Sequence, residues 1–255
     1  MLILFAFLGL LVGSFLNVLV LRTKQGTNFV TGRSECPQCK RQLTWYELIP
    51  VVSYVVQKGK CRGCHKHISA QYPMVEAITA STFALLYLHF GIASSYAIFS
   101  LVCWLFASSL LIAAAVYDAR WYLLPDSFTL PTIFIGIIYV VASNTLFGQH
   151  DAIQHILMAG LFAVLFTTLN LISSGKWLGD GDIRLAIIMG LMLSFDQFVV
   201  AVFFSFNIAA AVSLWLIATH RKSRKDIIPL GPFLVVGTLL GLFLGGAIMK
   251  VYLPF

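Results

Sequence analysis

The chain has 255 residues, 59% of them hydrophobic and only 11% charged, with a mean hydropathy of +0.90. A soluble globular domain is about 45–50% apolar and about 25% charged. This composition therefore excludes an ordinary soluble enzyme and a disordered chain alike, and it leaves a multi-span protein whose solvent is lipid. The net charge of +7 is concentrated, because residues 22–72 hold nine basic side chains against Glu35 and Glu47, a surplus equal to that of the whole chain. Basic loops beside apolar spans obey the positive-inside rule, which argues for an inward-facing segment and against a nucleic-acid partner.

The first apolar run is Met1–Leu21. No Lys or Arg precedes it and no A-x-A-like site follows it, so it reads as a retained span rather than a cleaved signal peptide. A polar, cysteine-bearing segment follows to residue 72. Further apolar runs cover about 74–91, 96–117, 128–146, 153–172, 183–195, 197–219 and 231–253. About 20 helical residues cross the hydrocarbon, a length that all but the 183–195 run approach. That short run begins inside a loop or sits in a protein-lined cleft. With eight spans the connections alternate sides. Segments 22–72, 118–127, 173–182 and 220–229 then share one face and carry Arg120, Lys176, Arg221, Lys222, Arg224 and Lys225 as well as the first basic segment. The opposite connections, near 92–95, 147–152 and 196, contain no Lys or Arg. The expectation is an all-α polytopic membrane protein of about eight transmembrane helices. Its parts are a first helix (1–21), a cytoplasmic tetracysteine domain (22–72) and a seven-helix membrane domain (73–255), with both termini outside.

Four of the five cysteines form two knuckles, Cys36-Pro37-Gln38-Cys39 and Cys61-Arg62-Gly63-Cys64, separated by 21 residues. Two intervening residues let both sulfurs of a knuckle turn to one ion, and two such knuckles close a tetrahedral zinc site. The segment has few apolar residues for a core, so a metal would supply folding energy. Cys61–His65 also has the spacing of a c-type haem attachment, but that reading leaves the first knuckle without a role and needs the outer face. His65 and His67 read as solvated, since four sulfurs already complete the shell. Cys103 reads as a small apolar residue in a span.

Ionisable groups at membrane level are costly and are candidates for function. Asp118 closes the third run and Asp182 opens the sixth, 64 residues apart with two crossings between them, so both return to one face at equal depth. Two facing carboxylates share a proton, one activating water and the other protonating a leaving nitrogen, which is acid–base peptide hydrolysis without a metal or a nucleophile. Gly179-Asp180-Gly181-Asp182 adds bare backbone that a substrate peptide can approach. Spacing alone leaves Asp180 a rival to Asp182, whose structural alternative is a helix N-cap. Asp126, after Pro125, reads as the N-cap of the fourth span. Ser14 and Asn17 read as interhelical hydrogen-bonding groups of the first span. Glu76 is open between a structural and a binding role.

Read in order, Gly13-Ser14-Phe15-Leu16-Asn17-Val18, Arg33-Ser34, the two knuckles, Trp45, Ile49-Pro50, Ile68-Ser69, Tyr72-Pro73, Glu76, Asp118 with Leu123-Leu124-Pro125-Asp126, and Gly179–Leu185 together resemble the type IV prepilin peptidases over nearly the whole chain. The resemblance implies an intramembrane aspartyl protease of the GxGD type in the bacterial plasma (inner) membrane. It implies that Asp118 and Asp182 are its catalytic pair and that it cuts basic leaders from type IV prepilins and pseudopilins at the cytoplasmic face. In many members it also implies N-methylation of the new N-terminus with S-adenosylmethionine, an activity associated with the zinc-binding tetracysteine domain (Cys36, Cys39, Cys61, Cys64). One departure is Leu48, where many members carry Asn. The competing readings are a secondary transporter or ion channel using membrane carboxylates, and a membrane-tethered metal or redox sensor.

Overall fold

Each apolar run becomes one helix. The computed structural model describes residues 1–28, 33–176, 178–223 and 226–252. Trp177, Arg224, Lys225 and Leu253, which fall in segments assigned above, lie outside the described residues. The elements are α1 (Leu2–Gln25), a 3₁₀ turn (Trp45–Leu48), α2 (Val52–Val56), α3 (Gln71–Phe90), α4 (Ser95–Trp121), α5 (Asp126–Phe147), α6 (Ala152–Ser173), α7 (Asp180–Met192), α8 (Phe195–Ala218) and α9 (Gly231–Tyr252). Among the described residues β pairing is confined to two isolated antiparallel bridges, Glu35 with Gln42 and Lys60 with His67.

Six of these helices, α1, α4, α5, α6, α8 and α9, are long and apolar enough to cross a membrane, so the chain is a multi-pass membrane protein. Helices α3 and α7 fill the places of the second and sixth runs, and each falls short for its own reason. Helix α3 has 20 residues but carries buried Glu76, Thr79 and Thr82. Helix α7 has 13, about 20 Å against a hydrocarbon core of about 30 Å. It starts inside the glycine loop and ends before residue 195, which belongs to α8. Its flanks explain how so short a helix is held: Leu185, Ala186, Ile188, Met189 and Met192 are buried, and α5, α6 and α9 pack around it. Helix α4 runs past the expected end at 117 to Trp121, whose ring packs at a tilt against that of Tyr117 one turn earlier, with centroids 4.6 Å apart. Asp118 therefore lies within its last turn.

The chain divides into two units, Met1–Ser109 and Leu110–Phe255. In the first, α1 packs on α3. A Cβ at Gly9 would stand 2.6 Å from the Ala80 Cα, and one at Gly13 2.7 Å from the Glu76 Cα, so the two backbones touch along a Gly-x-x-x-Gly stripe. Asn17, one turn further on and buried, donates to the Tyr72 carbonyl and to the Gly13 carbonyl, both at 3.2 Å. This is the interhelical role expected of it. Gly26, with φ of 65°, ends α1, which carries Arg22 and Lys24 in its last turn. In the second unit, α8 and α9 pack face to face through Gly241 and Gly245 of α9 against Ala201 and Gln197 of α8. Helix α7 is wedged between α5 and α6, where Leu191 joins Val140 and Ala159 in a buried cluster.

Candidate active site

The second unit brings two carboxylates inward from distant parts of the chain. Asp118 projects from the last turn of α4 and is 6% exposed; Asp182 projects from the first turn of α7 and is 8% exposed. Each is fixed by a backbone amide at a helix start. The Gly231 N–H, opening α9, donates to Asp118 Oδ2 at 3.0 Å, and the Gly179 N–H donates to Asp182 Oδ2 at 3.0 Å. The other oxygen of each accepts no hydrogen bond from the described residues. Asp182 occupies the third position of α7, so its bond to Gly179 is the reach-back half of a capping box; Gly179 has no side chain to return it. This capping bond occupies one oxygen of Asp182.

The bare backbone at these glycines is taken up by the chain itself, including at Gly181, where access for a substrate was expected. A Cβ on Gly231 would stand 2.6 Å from Asp118 Oδ2, and one on Gly181 would stand 2.5 Å from the Leu124 Cβ. Leu178 and Leu230, the neighbours of the two anchoring glycines, line a cavity of ≈ 320 Å³ together with Leu169, Phe206, Ile228 and Phe233. An apolar pocket therefore opens directly beside both anchors.

The neighbouring acids separate cleanly. Asp180 is exposed and meets only the Asn170 amide, at 3.4 Å, among the described residues. Asp126 does not cap α5, whose N-cap is Pro125 without a side-chain cap. It instead forms an ion pair with Arg184 of α7. The expected N-cap role is thereby corrected: the basic residue two positions after Asp182 draws the Asp126 carboxylate across to α7. Gly231 was not anticipated. A backbone donor leaves no side-chain signature, although Gly231-Pro232 at the head of an apolar run is a recognisable helix start.

In the first unit the four knuckle cysteines converge, with Sγ atoms all within 4.8 Å of one another, while Cys103 lies apart, buried in α4. Four thiolates about 2.3 Å from a zinc ion stand about 3.8 Å from each other, so the donor set fits a tetrahedral ion. The two knuckles repeat one another at an offset of 25 residues. The Cys36 N–H bonds the Arg41 carbonyl and the Cys61 N–H bonds the Lys66 carbonyl, at 2.9 and 3.0 Å. Lys40 and His65 take equivalent positive φ values of 59° and 55°. N–H donors from Cys64 and Gly63 pull the Cys61 thiol down to about 6, a poise that favours thiolate ligation. His65 and His67 are exposed and outside the cluster. Arg41 ties the first knuckle to the 3₁₀ turn through Glu47, at 2.5 Å. Burial raises the Glu47 carboxyl, but bonds from Arg41, the Thr44 N–H and the Thr44 hydroxyl outweigh it and hold the group at about 2.

Two family descriptions match the chain along its length, Bacterial Peptidase A24 N-terminal domain over residues 7–90 and Type IV leader peptidase family over residues 104–214. A prepilin leader peptidase/N-methyltransferase of Bacillus subtilis is 33% identical over 98% of this chain and 97% of its own length. The chain belongs to the type IV leader peptidase family. A prepilin leader peptidase/N-methyltransferase of Pseudomonas aeruginosa is 30% identical over 97% of this chain and 92% of its own, and one of Myxococcus xanthus is 34% identical over 86% and 64%. No solved structure matches the chain. The leader-peptidase family match takes in both Asp118 and Asp182, whereas the N-terminal match takes in all four knuckle cysteines, so the two sites of this leader peptidase family member fall in separate matched regions.

Proposed function

We propose that this chain is a membrane-embedded leader peptidase that cuts the basic leader from type IV prepilins and pseudopilins, with Asp118 and Asp182 as its acid–base pair. One carboxylate takes a proton from water as the oxygen attacks the scissile carbonyl carbon. The other, protonated, gives its proton to the leaving nitrogen as the C–N bond breaks. The amides of Gly231 and Gly179 hold one oxygen of each acid in place and leave the second facing the reaction. The apolar cavity beside Leu178 and Leu230 suits the apolar segment that follows a leader. The observation carrying this reading is the burial of two carboxylates, contributed by segments 64 residues apart and each held by a glycine N–H at a helix start, in a member of this family.

Eight crossings, with α3 and α7 included, are the proposed topology; under it the positive-inside rule assigns the basic connections to the cytoplasmic face of the bacterial inner membrane, where a basic leader is also retained. Zinc is the proposed ion of the cysteine cluster, and its role is to fold residues 33–69. Methyl transfer from S-adenosylmethionine to the new N-terminus is the proposed second activity, in line with the double name of the relatives. The test is incubation of the purified chain, in lipid nanodiscs, with a synthetic prepilin segment, with and without S-adenosylmethionine, followed by mass analysis. A truncated product, one methyl group heavier when the donor is present, is expected. Failure to cleave at all overturns the peptidase reading, and cleavage without added mass overturns the methylation alone.

A further inference from the structure

The segment between the knuckles is not a simple aqueous loop. The 3₁₀ turn and α2 pack on each other and leave a run of large apolar side chains uncovered: Trp45 is 77% exposed, Val52 54%, Val55 66% and Val56 63%, with Leu48 and Ile49 beside them near 40%. In water such a surface is an anomaly for so small a unit.

Its depth can be read from α1 and α3. Leu48 lines one groove with Leu11, Phe15 and Val18 of α1, and Leu11 and Phe15 are themselves 45% and 48% exposed on a membrane-length helix. Val51 is held against α3. Its N–H donates to Glu76 Oε2 at 2.7 Å, and Glu76 lies five residues, about 7–8 Å, inside the start of α3. Val51 has φ 59° and ψ −50°, and the Val52 N–H closes back on the Pro50 carbonyl at 2.6 Å, which is a strained γ-turn. A β-branched residue adopts that conformation only where its surroundings impose it. Here Glu76 fixes the turn against α3 and so fixes the height of the chain on either side. Glu76 packs against Gly13 of membrane-length α1, so the clamp holds the turn alongside a span rather than out in water, as an interfacial element requires.

The rest of the chemistry agrees with that placement. Trp45 and Tyr46 form an edge-to-face pair, and aromatic residues of this kind gather at membrane interfaces. Lys58, Lys60 and Arg62 follow directly and are exposed, and Arg62 lies over the Tyr46 ring at 5.0 Å. An apolar face edged by cations is complementary to acyl chains under anionic headgroups.

We infer that residues 45–56 are an interfacial element whose apolar face inserts among lipid acyl chains on the basic side of the membrane, with Lys58, Lys60 and Arg62 against anionic headgroups. The occupant of this surface is lipid. A basic peptide would be repelled by the same three cations. The inference needs neither the peptidase activity nor the metal.

The test uses the full chain in nanodiscs containing phosphatidylglycerol with a diazirine at mid-acyl chain, with photo-adducts mapped by peptide mass spectrometry. Adducts on Trp45, Leu48, Val52 and Val55 at a yield comparable to those on Leu11 and Phe15 are expected. Paired Val52→Asp and Val55→Asp substitutions oppose insertion and should cut the yield over 45–56 at least about tenfold, with Leu11 and Phe15 unchanged. Adducts on Leu11 and Phe15 with none over 45–56 in the unsubstituted chain overturn the inference, whatever the substituted chain does. So does labelling of 45–56 by a photo-reactive prepilin segment but not by the lipid.

Discussion

Replacing Gly231 with alanine tests the site through an atom that no side-chain substitution reaches. The Gly231 amide donates to Asp118 Oδ2 at 3.0 Å, and the added Cβ would lie 2.6 Å from that oxygen and 3.2 Å from Cγ. Both are well inside van der Waals contact, so either the carboxylate turns away or the start of α9 retreats, and either movement breaks the bond. A hydrogen bond to a charged group contributes about 1.5–3 kcal/mol. At about 1.4 kcal/mol per decade of rate, its loss from the reacting geometry corresponds to a fall of roughly 10- to 150-fold. The effect should appear in kcat for leader cleavage, with KM little changed, because the amide touches the acid and not the substrate. Gly246→Ala is the control on the same helix, since a Cβ there meets nothing within 4 Å. The assay is steady-state cleavage of a prepilin segment by each variant in nanodiscs. If Gly231→Ala cleaves within about twofold of the unsubstituted chain, this reasoning about the Asp118 anchor is wrong.

Asp182→Asn should lower cleavage by at least about 10²–10⁴-fold while Asp180→Asn stays near the parent rate, measured in the same assay; equal losses would return Asp180 to contention. Cys36→Ser should lose bound zinc by elemental analysis and expose residues 33–69 to protease, and full metal content in that variant would count against the four-thiolate site. Glu47 has its folded value held at about 2, below the ordinary carboxylate range, so its contribution to stability is complete above about pH 4.3 and is lost as the pH falls towards 2. Glu47→Gln should therefore flatten the acid limb of unfolding of this segment, and an unchanged acid limb refutes the assignment. Gly9→Leu should separate α1 from α3, since its first added atom already lies 2.6 Å from the Ala80 Cα; loss of a crosslink between cysteines introduced at Phe5 and Tyr87, whose rings stack 4.8 Å apart across the two helices, would report it, and an undiminished crosslink would refute it.

Much of this architecture was legible because its causes are local. Apolar runs of about 20 residues have one stable form in lipid, and each became a helix. The knuckles were legible because two residues between cysteines fix the turn whatever surrounds it. The ends of elements were less so. Asp118 was read as ending its helix, yet α4 continues to Trp121, whose ring packs against that of Tyr117, a side-chain contact that hydropathy does not register. Asp180 and Asp182 were inseparable by spacing but stand about 200° apart on a helix. Asp182 shares a face with Leu185, Ala186 and Met189, all buried, whereas Asp180 turns outward. The nearly uniform apolarity of α7 hid that distinction, because no polar stripe marks its outer side. The Asp126–Arg184 pair joins residues 58 apart and depends on how α5 and α7 meet.

The contact between Asn17 and Tyr72 imposes an order on biosynthesis. Asn17 enters the bilayer within α1, before α3 is made, but the carbonyl it needs lies 55 residues further along the chain. At about 5–20 residues per second, roughly 3–11 s pass before that carbonyl leaves the ribosome. Through that interval the amide must be satisfied by its own helix, at the Gly13 carbonyl, or by whatever insertion factor receives the nascent chain.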